Sequence, residues 1–299
     1  KYIFWGNQFM NTKQLLIFKH FVEAQNENAV AEKLGITQPT VTFHLKNLSK
    51  ECGLPLYFKK GKHFNLTEAG ELLYRNANKM LNLIEETTDM MEDFKQSKRG
   101  TLRIGASHAP IYSILPSTFK NYMHEHPNID INLTVDTAPI IIEKVKNRKI
   151  DIAVIAEKGF NDGELQVKRL HENPLVLAMD KRHPLAQKDH LTLEDISSYR
   201  FIIHNSGATR DSIDEWRNKN FINLDVHMET NSISSILTTI KDSNYLSLVS
   251  KNAMSHHPSI ISKTLPNAPT TSYISLIYRN DRHLTSIIQD FITLIYNTK

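Results

Sequence analysis

The segment that decides the fold reads AEKLGITQPTVTFHLKNL at residues 31–48 and continues as LPLYFKKGKHFNLTEAG at residues 54–70. Gly35 ends one short helical pattern, and Pro39 lies in the first turn of the next helix, where a missing amide costs nothing. The Thr37 hydroxyl is expected to cap that helix by accepting from the free amides of its first turn. Apolar residues at i, i+4 and i+7 predict its buried face: Val41, Leu45 and Leu48.

The outward face of the same helix carries short polar side chains, one aromatic ring and one cation. These residues are Gln38, Thr40, Thr42, Phe43, Lys46 and Asn47. Amphipathic patterns over residues 12–25 and 28–34 predict two helices that pack behind it. Because short uncharged side chains let a helix approach DNA closely, the pattern predicts a helix-turn-helix. A polar outer face on an ordinary helical bundle is the alternative.

A basic hairpin follows the helices. Two β-type runs, residues 56–59 and 64–66, flank Lys60, Gly61 and Lys62 and predict a wing that contacts phosphates. Residues 36–66 hold five lysines and one acid, an excess that equals the +4 net charge of the 299-residue chain. A solvated hairpin is the alternative. The predicted DNA-binding residues are Thr37, Gln38, Pro39, Thr40, Thr42, Phe43, Lys46, Lys59, Lys60 and Lys62.

These residues resemble the amino-terminal signature of the LysR-type bacterial transcription regulators. The matching elements are the A-x-x-L pattern, the Q-P pair, the spaced apolar residues and the L-T-x-A-G motif after the wing. Two departures concern base preference. Asn26, Glu27 and Asn28 stand where the family usually has Ser-Phe-Thr, and Phe43 replaces a frequent arginine. Phe43 is suited to a thymine methyl group, whereas an arginine favours guanine.

A long helix is predicted over residues 67–96, which contain no proline. Apolar residues recur at alternating steps of four and three and predict a dimer seam, as in a coiled coil. Packing of this stripe onto the same chain is the alternative. The resemblance implies a linker helix here, with dimers and tetramers as assemblies. The predicted seam residues are Leu73, Ala77, Met80, Ile84, Thr87, Met91 and Phe94.

After residue 100 the pattern changes to strands alternating with helices, which predicts an α/β arrangement with a largely parallel sheet. Neither a dinucleotide-type G-x-G-x-x-G nor a Walker loop occurs, which weakens any nucleotide enzyme. Polar residues recur where a strand gives way to a helix, a position that favours small anions. A small carboxylate-bearing effector is therefore predicted. Taken alone, each polar residue at such a junction is more often a simple helix N-cap than a ligand contact. The predicted effector-binding residues are Ser107, His108, Thr137, Ser206, Thr209, Asn231, Ser232 and Tyr245.

This carboxyl-terminal region also resembles the LysR effector domain, which is similar to periplasmic solute-binding proteins. The resemblance implies two subdomains, with the chain crossing between them near Lys168 and Leu265. The predicted domains are a winged helix-turn-helix at 10–67, a linker helix at 68–96 and an effector domain at 100–299. Its subdomains are 100–168 with 266–299, and 169–265. The family's glycine-rich run is DSNYLSLVS at 242–250, and Tyr245 is expected to narrow the cleft.

Two classes of function remain open from the sequence. The first is a DNA-binding regulator that senses a metabolite, with no cofactor, metal or catalytic residue. The second is a solute-binding or transferase-like enzyme with an accessory amino-terminal domain. A single cysteine, Cys52, excludes an internal disulfide and favours the cytoplasm, and no run is long enough for a membrane helix. Residues 1–9 are interpreted as an extension outside the fold. Promoter DNA, an effector, further copies of the chain and, by resemblance, RNA polymerase are the expected partners.

Overall fold

The computed structural model describes residues 10–60, 63–94, 100–254 and 257–298, without the side chains of residues 60, 63, 89 and 92–94. Contacts within the chain divide it into two compact units, residues 1–92 and 93–299. Residues 1–9, Lys62 and the end of the predicted linker lie outside the described residues. The limits of the three sequence-based domains stay predictions.

Three helices form the base of the first unit: α1 (Thr12–Ala24), α2 (Glu27–Leu34) and α3 (Gln38–Cys52). The Asn11 side chain caps α1 in a capping box with Gln14, and Asn26 caps α2 by accepting from two first-turn amides. Gly35 and Gly53 end α2 and α3 in left-handed backbone, which favours glycine. The helices enclose one apolar core whose buried members include Ile17, Phe18, Phe21, Val30, Val41, Leu45, Leu48 and Leu56.

A hairpin and a long helix complete this unit: β1 (Tyr57–Lys60), β2 (His63–Leu66) and α4 (Glu68–Phe94). The hairpin is antiparallel, with Tyr57 opposite Leu66. Thr67 fixes the start of α4, because its hydroxyl donates to the Pro55 carbonyl at 2.7 Å and accepts from the Gly70 amide at 3.0 Å. This arrangement explains the hydroxyl residue of the L-T-x-A-G motif.

The second unit alternates strands and helices, as the sequence predicts. Its elements are β3 (Gly100–Ala106), α5 (His108–Ile111), α6 (Leu115–Glu125), β4 (Ile129–Val135), α7 (Ala138–Lys146), β5 (Ile152–Glu157), β6 (Leu165–Asn173), β7 (Leu175–Asp180), α8 (Leu193–Ser197), β8 (Arg200–His204), α9 (Ala208–Asn220), β9 (Asp225–Thr230), α10 (Ile233–Ile240), β10 (Ser247–Ser250), β11 (Ile260–Thr264), β12 (Ser272–Arg279) and α11 (Ser286–Asn297).

The strands form two halves with the same arrangement. The first half has the order β4-β3-β5-β12-β6, with β3 parallel to β4 and β5, and β12 antiparallel to β5 and β6. In the second half β8 is parallel to β9, β7 is antiparallel to β10 and β11, and a bridge from Phe201 to Leu246 joins β8 to β10. Both sheets are therefore mixed.

The prediction of a largely parallel sheet is wrong. In each half, a chain segment that arrives from the other half forms one strand: β12 in the first half and β7 in the second. That strand enters at the carboxyl edge, where Tyr273 of β12 pairs with Glu157 and Leu175 of β7 pairs with Ser250. A strand that enters at this edge must run antiparallel to its neighbour. Sequence alone places the first crossing near Lys168, but β6 continues in the first sheet to Asn173.

Each half of the second unit has its own buried apolar residues. In the first half Leu102, Ile104 and Val154 of the sheet pack with Phe291 of α11. In the second half Phe201 and Leu248 pack with Trp216 of α9, whose indole donates to the Pro266 carbonyl at 2.8 Å. Among the described residues, no helix combines the length and the apolar character needed to cross a bilayer.

Candidate nucleic-acid interface and ligand cavity

The buried face of α3 decides which of its side chains point outward. Val41, Leu45 and Leu48 are completely buried, as the sequence predicts. The opposite face leaves Gln38 and Lys46 exposed. The remaining outward residues are Phe43, which is 59% exposed, Pro39, also exposed, and Thr40, Thr42 and Asn47, which are half-buried. An aromatic ring this exposed beside amide and hydroxyl groups offers an apolar contact and hydrogen bonds on one helix face.

Thr37 occupies the N-cap position of α3, but its hydroxyl does not cap the first-turn amides. Its hydroxyl instead pairs with the Thr40 hydroxyl at 2.8 Å. The Thr37 carbonyl accepts from the Thr40 and Val41 amides at 3.0 and 3.2 Å. The predicted capping bond is therefore wrong, because the neighbouring hydroxyl of Thr40 competes for the Thr37 side chain.

Glu27, at the start of α2, contacts two of the predicted DNA-binding residues. Its Oε2 atom accepts from Gln38 Nε2 at 2.5 Å and from Thr42 Oγ1 at 2.5 Å. Gln38 Nε2 also donates to Thr42 Oγ1 at 2.9 Å, which closes a triangle of three side chains. Sequence reasoning missed this role for Glu27, although it had marked the position as a departure from the family signature.

Aromatic packing fixes the wing against α1. The Phe21 ring lies 4.9 Å from the Tyr57 ring and 4.9 Å from the Phe64 ring, measured between centroids. Lys59 is exposed on β1 beside Phe58, which is 50% exposed. Lys60 is placed by its backbone only, and Lys62 lies outside the described residues. The wing thus presents at least one exposed cation, Lys59, on a hairpin that aromatic packing holds against α1.

The apolar stripe of α4 divides into a buried start and an exposed continuation. Leu73 packs against the core of the first unit and Ala77 is completely buried, so neither belongs to an exposed seam. Met80, Ile84 and Met91 are 45, 47 and 53% exposed at the predicted spacing, and Thr87 is exposed between them. The side chain of Phe94 lies outside the described set. An exposed apolar stripe begins at Met80.

A cavity of about 490 Å³ opens in the second unit at the carboxyl edges of β3, β5 and β8. Apolar side chains, among them Ile142, Ile155 and Phe160, form much of its wall. Ligand sites of this kind are mostly apolar, with a few polar groups that orient the ligand. Six of the predicted effector-binding residues line the cavity: Ser107, His108, Thr137, Ser206, Thr209 and Asn231.

The polar groups of the cavity differ in how much of their hydrogen bonding is already used. Ser107 is buried and its hydroxyl accepts from the Ala156 amide at 2.9 Å. Thr137 stands at the N-cap of α7, where its hydroxyl makes no capping bond. Gly207, with φ of 84°, begins α9 and lets the backbone turn toward the cavity without a side chain. The amino-terminal turns of α7 and α9 both line the cavity.

His204 and Glu157 supply titratable groups that the sequence did not indicate. Burial and, to a smaller extent, the neighbouring His108 lower the pKa of His204 to about 4, so the imidazole is neutral at neutral pH. Glu157 is buried and accepts from Ser275 Oγ at 2.8 Å and from the Phe160 amide at 2.7 Å. Its carboxylate is thus engaged within the protein. Both residues end strands, which is the signal that could have indicated them.

Lys158 and Asp211 also line the cavity and carry charge. Lys158 Nζ donates to Glu215 Oε2 at 2.5 Å, and this contact lowers the pKa of Glu215. Asp211 is exposed in the first turn of α9, where the helix dipole stabilises an acid. A ligand anion in this cavity would therefore meet helix amides, hydroxyls and a neutral imidazole, together with one paired cation and the Asp211 carboxylate.

Ser232 and Tyr245 do not line this cavity. The Ser232 hydroxyl accepts from the Ser235 amide at 3.2 Å and so caps α10. Tyr245 precedes the amino end of β10, at the edge of the sheet opposite the cavity, and its hydroxyl contacts His227 Nδ1 at 2.9 Å. The expectation that Tyr245 narrows the cleft is wrong because the residue lies at the wrong end of its strand.

Neither metal chemistry nor thiol chemistry gains support from the geometry. Among the described residues, no group of three or more His, Cys, Asp or Glu side chains could hold a metal ion. Burial, followed by the charge of Glu51, raises the pKa of the Cys52 thiol, which disfavours the reactive thiolate.

Comparison with protein families gives matches over nearly the whole chain. The family model "Bacterial regulatory helix-turn-helix protein, lysR family" matches residues 12–71, which contain α1 to α3 and the wing. The model "LysR substrate binding domain" matches residues 95–298, which contain the cavity.

Named proteins give the same picture. A probable RuBisCO transcriptional regulator of Phaeodactylum tricornutum is 31% identical over 81% of this chain and 81% of its own length. The HTH-type transcriptional activator CmpR of a Synechocystis species is 25% identical over 95 and 94% of the two chains. Full-length CbnR in complex with its target DNA matches the fold with a TM-score of 0.70 and 19% identity, over 97% of this chain and 100% of that one.

Proposed function

The chain belongs to the LysR family of DNA-binding transcriptional regulators, and we infer that α3 reads promoter DNA while the cavity of the second unit binds a small organic anion. Its relatives are named as regulators and not as enzymes, so the prediction of a LysR-type DNA-binding regulator is confirmed.

The outward face of α3 supports its role as the recognition helix. Gln38 and Phe43 are exposed on the face opposite the buried Val41 and Leu45. Amide groups and apolar side chains are what a major-groove helix uses to read base edges and thymine methyls. Lys46 on the same face and Lys59 on the wing are exposed and would contact phosphates, which add affinity that does not depend on sequence.

The exposed stripe of α4 supports assembly of a dimer. Met80, Ile84 and Met91 follow the steps of a coiled-coil seam and are about half exposed in the single chain. A second copy of the helix would bury this stripe. Two copies of α3 would then read two half-sites, the usual arrangement for helix-turn-helix dimers. Tetramer formation and contact with RNA polymerase in the cytoplasm extend this proposal.

The single observation that supports the anion most is the convergence of two helix starts on one cavity. The first turns of α7 and α9 line it, and backbone amides at such positions favour negative charge. Thr137 offers a hydroxyl that makes no capping bond, and His204 offers a neutral imidazole. A carboxylate fits these donors, and the apolar walls fit a short carbon chain. Closing the two halves on this ligand would shift the conformational equilibrium only by its differential affinity for the closed state.

Thermal unfolding of the full chain with a panel of small carboxylic acids tests the effector assignment. Each acid is compared with its own amide, which has nearly the same shape and no charge. An acid that binds should raise the unfolding temperature of the chain in a concentration-dependent manner, and its amide should not. Equal stabilisation by an acid and its amide would show that the cavity recognises the shape of the ligand and not its negative charge.

A further inference from the structure

We propose that Glu27 makes Gln38 an acceptor-only reader of DNA, so that Gln38 selects a base with an exocyclic amine in the major groove. Such a base is adenine through N6 or cytosine through N4, and adenine N7 is not used. The inference rests on the proposed role of α3 as the recognition helix. Glu27 would act as a positioning residue, since it works through Gln38.

The orientation of the Gln38 amide follows from charge. Glu27 Oε2 lies 2.5 Å from the Gln38 amide, and at that distance a carboxylate can face a donor but not the amide oxygen. Nε2 therefore points to Glu27. The same nitrogen also contacts Thr42 Oγ1 at 2.9 Å. A primary amide has two N–H bonds, and these two contacts use both of them.

Thr42 holds this orientation from the other side. Its hydroxyl donates to Glu27 Oε2 at 2.5 Å, so it offers a lone pair to Gln38 and not a hydrogen. Thr42 is half-buried, and Glu27 is half-buried at the start of α2. The two side chains thus engage the nitrogen end of the Gln38 amide, whereas among the described residues the amide oxygen of the exposed Gln38 has no hydrogen-bond partner. A free glutamine would present both its oxygen and its nitrogen.

The consequence for recognition follows from the pattern of groups on base edges. A glutamine normally reads adenine with two bonds, accepting from N6 and donating to N7. When both donors of Gln38 are engaged by Glu27 and Thr42, only the bond from N6 can form. Cytosine N4 offers the same donor, so adenine and cytosine are both accepted. Guanine and thymine present an acceptor in the corresponding place and would be rejected.

The charge of Glu27 also affects binding to DNA of any sequence. A carboxylate near the DNA-facing end of α3 repels phosphates and weakens binding to any sequence. Loss of this repulsion would raise nonspecific affinity, whereas loss of the contact to Gln38 would change which atoms are read. A clamp that only joined α2 to α3 would not change which atoms are read.

Modified bases provide the test. The full chain first selects its best duplex from a randomised pool, and Gln38→Ala identifies the base pair at which discrimination is lost. At an adenine there, replacement by 7-deazaadenine should change the dissociation constant less than twofold, whereas removal of the N6 amine should weaken binding about tenfold. At a cytosine, removal of the N4 amine should have the same effect.

Two variants complete the design. Glu27→Ala frees the Gln38 amide, so an adenine duplex with 7-deazaadenine should now bind this variant about tenfold more weakly than the unmodified duplex. Glu27→Gln keeps an acceptor oxygen without the charge and should retain the original insensitivity to N7. Thermal unfolding of both variants verifies that α2 and α3 remain folded.

The outcomes distinguish failure of the inference about Glu27 from failure of the proposed DNA-binding function. Sensitivity to 7-deazaadenine in the unmodified protein, or identical sensitivity with and without Glu27, overturns the inference while DNA reading by α3 stands. Unchanged affinity after removal of the N6 or N4 amine from the adenine or cytosine of that base pair also overturns it. If the full chain enriches no sequence from the pool, the proposed function itself fails, and the inference fails with it.

Discussion

Gly70 and the Leu56 carbonyl are in such close contact that a Cβ atom on residue 70 would lie 1.9 Å from the Leu56 oxygen. The oxygen belongs to backbone just before the wing, so it cannot swing away as a long side chain could. This contact joins the start of α4 to the segment that leads into β1. It also explains physically why the motif shared with the family ends in glycine.

Gly70→Ala should lower the free energy of unfolding of the first unit by about 1–3 kcal/mol, because the added methyl forces backbone apart. Thermal or urea unfolding measures this loss. Gly163→Ala is the control, since no atom of the described residues beyond its two chain neighbours lies within 4 Å of a Cβ atom there and its backbone is ordinary. Equal stability of the two variants would contradict the close contact.

Ile84→Asp should convert the dimer to monomers, because a carboxylate on the exposed stripe of α4 would be buried unpaired at the seam. Sedimentation or light scattering at several protein concentrations measures the assembly state. Lys79→Asp introduces the same group on the opposite face of α4, where Lys79 is exposed, and should leave the dimer intact. A dimer that survives Ile84→Asp would exclude this stripe as the interface.

Thr137→Val should weaken binding of the cavity ligand about fivefold to tenfold, since it removes a hydroxyl that makes no capping bond in the free protein. Thr137→Ser keeps the hydroxyl and should bind nearly normally. Ser232→Ala is the control outside the cavity, because that hydroxyl caps α10. Ligand-induced thermal shifts compare the three variants, and an unchanged shift in Thr137→Val would remove this residue from the site.

His204 should make the second unit less stable in mild acid. Its pKa is about 4 when folded and 6.5 when exposed, so between these values the unfolded chain binds more protons. Stability is therefore fully present above pH 6.5 and falls as the pH drops toward 4, by at most about 1.4 kcal/mol per unit. His204→Gln should flatten this dependence in thermal unfolding at pH 7 and pH 5.

His183 and His171 set the baseline for that comparison. Burial lowers the pKa of both, so a part of the acid sensitivity should persist in His204→Gln. An identical loss of stability in the variant and the unmodified chain would show that His204 is not buried in its neutral form.

Elements that depend on residues close together in the chain could be predicted from the sequence alone. The helix-turn-helix follows from Gly35, Pro39 and the apolar period of α3. The carboxyl edge of the second unit was also predictable, because hydroxyl residues at strand ends converge there in any open α/β sheet. Six of the eight predicted effector residues line one cavity for this reason.

The remainder depended on pairings between distant residues. The contact of Glu27 with Gln38 spans a turn whose geometry the side-chain types do not determine. The antiparallel entry of β12 beside β5 joins residues more than a hundred positions apart. The burial of His204 and the packing of Leu73 against the core of the first unit likewise depend on which surfaces come into contact. Periodicity indicates that a face is apolar but not what covers it.

Binding of Gln38→Ala to specific and scrambled duplexes, followed by fluorescence anisotropy, tests most directly whether α3 reads bases. The variant should bind the selected duplex about tenfold more weakly and the scrambled duplex nearly as well as before. Lys46→Ala should weaken both duplexes equally, because a phosphate contact does not depend on sequence. If Gln38→Ala instead weakened both duplexes to the same extent, α3 would not be the element that reads the sequence.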